Sequence, residues 1–194
     1  MNLVGLTGNI GSGKSTVCEL FKVFGIPVFH ADTEAKKLLD EKPVRELIIG
    51  AFGREILNGV GTIDRKLLAS VVFNEAQKLD TLNKIIHPKV MERFFIWTNL
   101  QNTSYVLMES AILFEHSLEG HFNQIVHISC PEDIAIERVM KRDNVGRETV
   151  ALRVKAQWSD ENKASKAGFV IVNDGTKPLI PQAIEIHRKL SSGQ

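Results

Sequence analysis

Cysteine is scarce in this chain: Cys18 and Cys130 are its two, far apart and in no Cys-x-x-Cys spacing. That excludes a disulfide framework and a thiolate zinc site, and it fits a reducing compartment. An excess of charge is missing as well. Lys and Arg number 24 against 23 Asp and Glu, for a formal net charge of +1. No global basic field therefore argues for nucleic acid, and any basic patch must be local. No apolar run approaches the length of a membrane span. The N-terminus runs straight into an apolar, strand-like stretch without a basic segment or cleavage site. Internal repeats, low-complexity tracts and long linkers are also lacking. The expectation is a cytoplasmic protein with neither nucleic-acid nor membrane partners, a monomer or small homo-oligomer.

What is present is the composition of a globular domain: 194 residues, 43% hydrophobic and 24% charged, enough for one domain with a sizeable core. Apolar runs recur at "NLVGLT", "IPVFHA", "YVLMES", "QIVHIS" and "GFVIVND", mostly separated by helical patterns. Such alternation predicts an α/β fold with a five-stranded, mostly parallel sheet between layers of helices. In "GKSTVCELFKVFG", Val17, Leu20, Phe21 and Phe24 share a helical face and Gly25 supplies the stop. Two regions break the alternation. Residues 38–103 contain helical pieces without an intervening strand, too long for a simple crossover, and read as a helical insert. Within it Phe52, Phe73, Phe94, Phe95 and Trp97 read mostly as core. Residues 140–167 are polar, rich in Arg and Lys and only weakly amphipathic.

Gly8-Asn9-Ile10-Gly11-Ser12-Gly13-Lys14-Ser15 matches G-x-x-x-x-G-K-[ST]. A chance match in a chain this long is on the order of one in a hundred from ordinary residue frequencies, so the context matters. An apolar strand precedes the loop and an amphipathic helix follows at once. Glycines let backbone N–H groups converge on an anion, and the helix N-terminus adds its dipole. Lys14 is expected to reach the β- and γ-phosphates of a nucleoside triphosphate, with the Ser15 hydroxyl on Mg²⁺. Thr16 is counted with this nucleotide-binding loop and is expected to cap or pack the first turn.

A GTPase needs an N-K-x-D motif to read guanine, and "NKII" and "NKAS" lack the Asp; "DNVG" follows a polar helix end rather than a strand. The second strand ends in "FHADTEAKKLL". An Asp at the carboxyl end of a neighbouring parallel strand sits where ligands bind in such sheets. Asp32 there either accepts or orients the proton of an acceptor hydroxyl, or simply caps the helix that follows.

The ordered set of motifs resembles the dephospho-CoA kinases. Members pair "TGGIGSGKS" with a "DAD" strand end, a later "HP", a "PLLFE" segment and an Arg-bearing lid with a glutamine. Here these read Thr7-Gly8-Asn9-Ile10-Gly11-Ser12-Gly13-Lys14-Ser15, His30-Ala31-Asp32, His87-Pro88, Ala111-Ile112-Leu113-Phe114-Glu115, and Arg142 through Gln157. The resemblance implies a P-loop kinase-like three-layer sandwich and ATP-dependent phosphorylation of the ribose 3′-hydroxyl of dephospho-CoA, the last step of coenzyme A synthesis. It implies Asp32 as catalytic base and Arg142 and Arg147 as lid arginines that bind phosphate charge. By the same likeness Thr7 faces the acceptor, and the helical insert, with His87 inside it, binds dephospho-CoA. "VNDGT" resembles a family turn that places Asn173 and Gly175 near the adenine of ATP.

The sequence departs from the family pattern at three points. Asn9 replaces the second glycine, His30 replaces the first Asp of "DAD", and "PLLFE" has lost its proline. Glu109, a carboxylate ending a strand, either helps hold Mg²⁺ through water or is an ordinary salt-bridged strand end. His87, taken as lying at a helix start, either touches substrate or is a cap. Trp158 beside Gln157 is left open between a lid hinge and a packing contact. Two alternatives stand beside the kinase reading: another small-molecule P-loop kinase acting on a nucleoside or nucleoside monophosphate, and a nucleotide-binding regulatory ATPase module.

Overall fold

In a computed structural model of the chain, residues 1–72 and 75–192 are described; Phe73 lies outside them. The chain divides into two compact units, one of residues Met1–His30 and Gln101–Gln194, the other of Ala31–Leu100.

The first unit is built on five strands: β1 (Asn2–Thr7), β2 (Val28–His30), β3 (Tyr105–Glu109), β4 (Gln124–Ser129) and β5 (Phe169–Val172). They form one sheet in the order β2-β3-β1-β4-β5, and every pairing is parallel. The expected sheet is thus present, and parallel throughout. β1 is central, which explains why "NLVGLT" is apolar nearly throughout rather than alternating: both of its faces are covered. Val4 and Leu6 lie in the main core with Val17, Phe21, Leu107, Val126, Ile128 and Ile171. α1 (Lys14–Val23) and α9 (Leu179–Ser191) cover that face through Val17, Cys18, Phe21, Ala183, Ile186 and Leu190. Burying each large apolar side chain contributes roughly 1.5–3 kcal/mol. The opposite face carries a smaller cluster of Leu113, Phe114 and Ile125, with Phe122 and Trp158 packed on it. Strand periodicity divides β4 accordingly, Val126 and Ile128 facing one way, Ile125 and His127 the other.

α1 ends as the sequence predicts. Gly25 takes φ +79°, its N–H bonds Lys22 O, and Ile26 N–H bonds Phe21 O, the paired bonds of a Schellman stop. β4 leads into α6 (Glu132–Asp143), which starts after Pro131 with two acids in its first turn and ends at Asn144 in the left-handed region. α7 (Arg147–Lys155) and α8 (Asp160–Lys166) follow. Ser159 caps α8 by accepting from Asn162 N–H.

The second unit is helical: α2 (Ala31–Leu38), α3 (Lys42–Phe52), α4 (Arg65–Val72) and α5 (Ala76–Thr98), with a 3₁₀ turn at Arg54–Ile56. It begins where β2 ends and so includes α2, ahead of the start expected from the sequence. Its core holds Val44, Ile48, Phe52, Ile56, Leu68, Ile86, Val90 and Phe94, all buried. Among the described members of the expected aromatic set, Phe95 is exposed, at 38%, and Trp97 is half-buried. Pro88 lies inside α5, so the helix runs through it with one N–H missing from the ladder. Among the described residues, no helix is long and apolar enough to cross a membrane.

Candidate active site

The loop from Gly8 to Gly13 joins β1 to α1 at the carboxyl edge of the sheet. β1 leads to β2 on one side while β4 leads to β5 on the other, so a ligand crevice is expected at the ends of β1 and β4. Gly13 is the N-cap of α1, in the left-handed region at φ 95°, and no side chain caps the helix. No acid lies in its first turn. The opening N–H groups and the positive end of the dipole are therefore left to an anion rather than to a side-chain oxygen. Two glycines are required by close approach as well as by positive φ. A Cβ at Gly11 would strike the Ala135 carbonyl of α6, and one at Gly13 would strike the Asn173 amide. Lys14 folds back over the loop, its Nζ donating to Gly8 O at 2.9 Å and Asn9 O at 3.4 Å.

The loop is braced from two sides. On one, Asn173 Nδ2 donates to Ser12 O at 2.7 Å, and Arg138 of α6 donates to Asn173 O and Oδ1, both at 3.3 Å. On the other, Asn9 Nδ2 donates to Trp158 O at 3.1 Å, and Ile10 N–H donates to Gln157 Oε1 at 2.9 Å. Beside this second brace lies a cleft of about 490 Å³ lined by Asn9, Ile10, Ser129, Gln157, Trp158 and Asp160 among others. Asp160 accepts from His127 Nε2 at 2.9 Å and from the Ser129 hydroxyl, tying α8 to β4.

Three side chains stand at neighbouring strand ends: Thr7 on β1, Glu109 on β3 and His30 on β2. His30 and Glu109 are register partners, and Nδ1 of the histidine lies 3.2 Å from Oε2 of the carboxylate. Cys18, behind this edge on α1, has its thiol pushed up to about 12, by burial first and then by the Glu109 charge. It is an inert core residue.

A family model described as dephospho-CoA kinase matches residues 2–178. The chain belongs to the dephospho-CoA kinase family. It is 40% identical over 185 residues to a dephospho-CoA kinase of Bacteroides fragilis, covering 94% of this chain and 90% of that one. A Thermus thermophilus protein of known crystal structure superposes with a TM-score of 0.88 at 30% identity, over 97% of this chain and 96% of that one. The dephospho-CoA kinase of Campylobacter jejuni superposes with a TM-score of 0.70 at 27% identity, over 99% and 98%.

Against the motifs of dephospho-CoA kinases, the structure gathers the Gly8–Ser15 segment into one loop, and places several other residues differently from expectation. Ser15 and Thr16 are exposed on the first turn of α1, so Thr16 is not its cap; Gly13 is. Thr7 has no exposed surface, and its hydroxyl is buried at the end of β1. Asn173 is 9% exposed, with its amide bonded to Ser12 and Arg138, so it braces the loop. Gly175 sits at φ +85° in the exposed turn beyond it. Asp32 is the second residue of α2, inside the first turn rather than at an N-cap, and exposed. His87 lies in the interior of α5 rather than at a helix start, because the helix continues through Pro88.

The lid arginines are held by two acids of α6, Asp133 and Asp143. Arg142 donates twice to Asp143, at 2.7 and 3.1 Å, and Arg153 donates to the same carboxylate at 3.2 Å. Those bonds, Arg142's above all, hold the Asp143 carboxyl below the usual range. Arg147 pairs with Asp133. Trp158 resolves as a packing contact, stacked on Phe114 at 6.1 Å with Lys166 Nζ 5.1 Å above its ring. Sequence reasoning missed Arg138 and the partners of Asn9 and Gln157. Arg138 carried a signal, a cation on the helix after the fourth strand, but nothing local pointed it at Asn173.

Proposed function

We infer that this chain carries out the reaction of its family, transfer of the γ-phosphoryl group of ATP to the ribose 3′-hydroxyl of dephospho-CoA to give coenzyme A. The observation that carries the reading is the uncapped, acid-free start of α1 behind a loop closed by Lys14. The triphosphate lies on the Gly8–Thr16 backbone, with Lys14 exchanging its loop carbonyls for phosphate oxygens. The hard oxygens at this edge, the exposed Ser15 hydroxyl and the Glu109 carboxylate, would suit Mg²⁺ and would hold it. When bound, it would neutralise charge on the phosphates.

Asp32 orients the acceptor hydroxyl and accepts its proton. Its support is its place in the chain, just past the carboxyl end of β2 and exposed on the first turn of α2. The helical unit holds dephospho-CoA, with His87 on its longest helix, and residues 140–167 act as the lid. Arg142 and Arg147 reach the transferring group by giving up Asp143 and Asp133, an exchange of one anion for another that leaves neither guanidinium bare. The enzyme works in the cytoplasm.

The test measures ADP release with ATP·Mg²⁺, with and without dephospho-CoA, and the mass of the product. ADP formed only with acceptor, and a product heavier by one phosphoryl group, is the expected result. Absence of stimulation by dephospho-CoA overturns the reading. Asp32→Asn is expected to lower kcat by about 10²–10⁴-fold while ATP binding holds.

A further inference from the structure

The family reaction accounts for the loop and its lysine but not for a chain of hydrogen bonds that leaves the loop on its far side. Gln157, between α7 and α8, uses both ends of its side-chain amide. Its Oε1 accepts from Ile10 N–H at 2.9 Å, and its Nε2 donates to Ala111 O at 3.2 Å. The same carbonyl accepts from Lys163 Nζ at 2.8 Å. Lys163 is fully buried and pairs with Glu115 at 2.7 Å, and Glu115 in turn accepts from Trp158 N–H at 2.9 Å. Asn9 adds a second link, its side chain donating to Trp158 O. The first half of the phosphate loop is thus held at two consecutive residues by one dipeptide, and that dipeptide is fixed to the segment following β3 by a buried ion pair.

We propose that Gln157, assisted by Asn9, is a positioning residue for the phosphate loop: it fixes the direction of the Ile10 peptide and hence the cradle that receives the triphosphate. Three features carry this. Ile10 lies between Gly8 and Gly11, whose backbones are intrinsically free, so an external bond helps decide the direction of its peptide. The anchor is rigid, because a buried lysine and carboxylate share both of its attachment points. Asn9 occupies a position that resembles a family glycine, yet its side chain is used rather than merely tolerated. Preorganised donors lose no free energy to reorganisation when charge arrives, so loosening them weakens triphosphate binding first. The proposal rests on the phosphate loop, and on the kinase reading only for its steady-state arm.

The experiment compares Gln157→Met and Asn9→Gly with the unaltered protein. It reads hydrogen exchange at the Ile10 amide, calorimetric ATP binding without acceptor, and KM for ATP and for dephospho-CoA. Gln157→Met is expected to accelerate Ile10 exchange and weaken ATP binding about tenfold, the worth of one ordinary hydrogen bond. KM for dephospho-CoA should change by less than about twofold. Asn9→Gly should follow in the same direction with a smaller effect. Unchanged ATP binding by a folded Gln157→Met protein overturns the proposal. So does a rise in both KM values together with a fall in melting temperature, the mark of general destabilisation. If the unaltered protein binds ATP but ignores dephospho-CoA, the kinase reading fails while the exchange and calorimetry still decide this one.

Discussion

Asn173, just beyond the end of β5, donates its side-chain amide to the carbonyl of Ser12, 161 positions away in sequence and 2.7 Å away in space. The last strand of the sheet thereby holds the middle of a loop formed at the first. Arg138 completes the arrangement from α6 by donating to both oxygens of Asn173. Replacing Asn173 with Leu leaves the Ser12 carbonyl without its donor and takes Oδ1 from Arg138, which keeps the backbone oxygen, in a nearly dry place; the loss is expected to cost about 1–3 kcal/mol. Urea unfolding of Asn173→Leu should show that loss, and KM for ATP should rise with it. Equal stability and unchanged KM would remove Asn173 from the brace.

Lys14→Ala separates the loop's shape from its chemistry. The ammonium bonds Gly8 O and Asn9 O, which are partly buried contacts that water can replace. Alanine favours the first turn of α1. Stability should therefore change by no more than about 1 kcal/mol, while turnover falls by about 10³-fold or more for want of charge on the transferring group. Full activity in this variant would overturn the loop's assignment.

The strand pattern and the loop were legible because each is local. Apolar runs mark buried parallel strands, and a glycine-rich turn between strand and helix has one common use. The departures are long-range or concern boundaries. Thr7 is turned toward the acceptor by the family likeness alone; that it is fully buried follows from β1 lying at the centre of the sheet, which no local pattern states. Asn173 comes near adenine only by the family likeness of its turn; its bonds to Ser12 and Arg138 join residues far apart in sequence, which no local pattern shows. Arg142 is legible as a cation but its partner Asp143 is its sequence neighbour, and no pattern says which of two charges an arginine will meet. His87 reads as a helix start because proline usually begins helices, whereas α5 tolerates Pro88 in its interior.

Asp160 gives the fold an acid-sensitive joint. Burial by itself raises its carboxyl, but hydrogen bonds from His127, Ser129 and the Cys130 N–H, with the charge of His127, more than reverse this and leave it below the usual range. A carboxylate whose folded value is lowered contributes stability above its unfolded pKa, about 3.9, and loses that contribution as pH falls through the folded value. Asp160→Asn should therefore be less stable than the unaltered protein near neutrality, by about 1–2 kcal/mol. The difference should shrink below about pH 4. A gap that stays constant down to acid unfolding would show that the charge of Asp160 contributes nothing.

Lys163 and Glu115 test whether the buried pair is itself a source of stability or only a fixture. Lys163 is fully buried and Glu115 is 10% exposed, and burial lowers the lysine's pKa against the pull of the carboxylate. Removing one partner strands the other, so Lys163→Met should cost about 3–5 kcal/mol. Removing both, as Lys163→Met with Glu115→Leu, should recover a large part of that loss, because no uncompensated charge remains. The Trp158 N–H loses its acceptor in the double variant, however, and Ala111 O loses its lysine. One anchor of the Gln157-Trp158 dipeptide is then gone, and the other, Gln157 Nε2 on Ala111 O, has lost the lysine that shared its acceptor, even though the fold is largely restored. Urea unfolding of the two single variants and the double should give a strong favourable coupling, while ATP binding stays weak in the double. Recovery of both stability and ATP binding would mean that the pair serves packing alone.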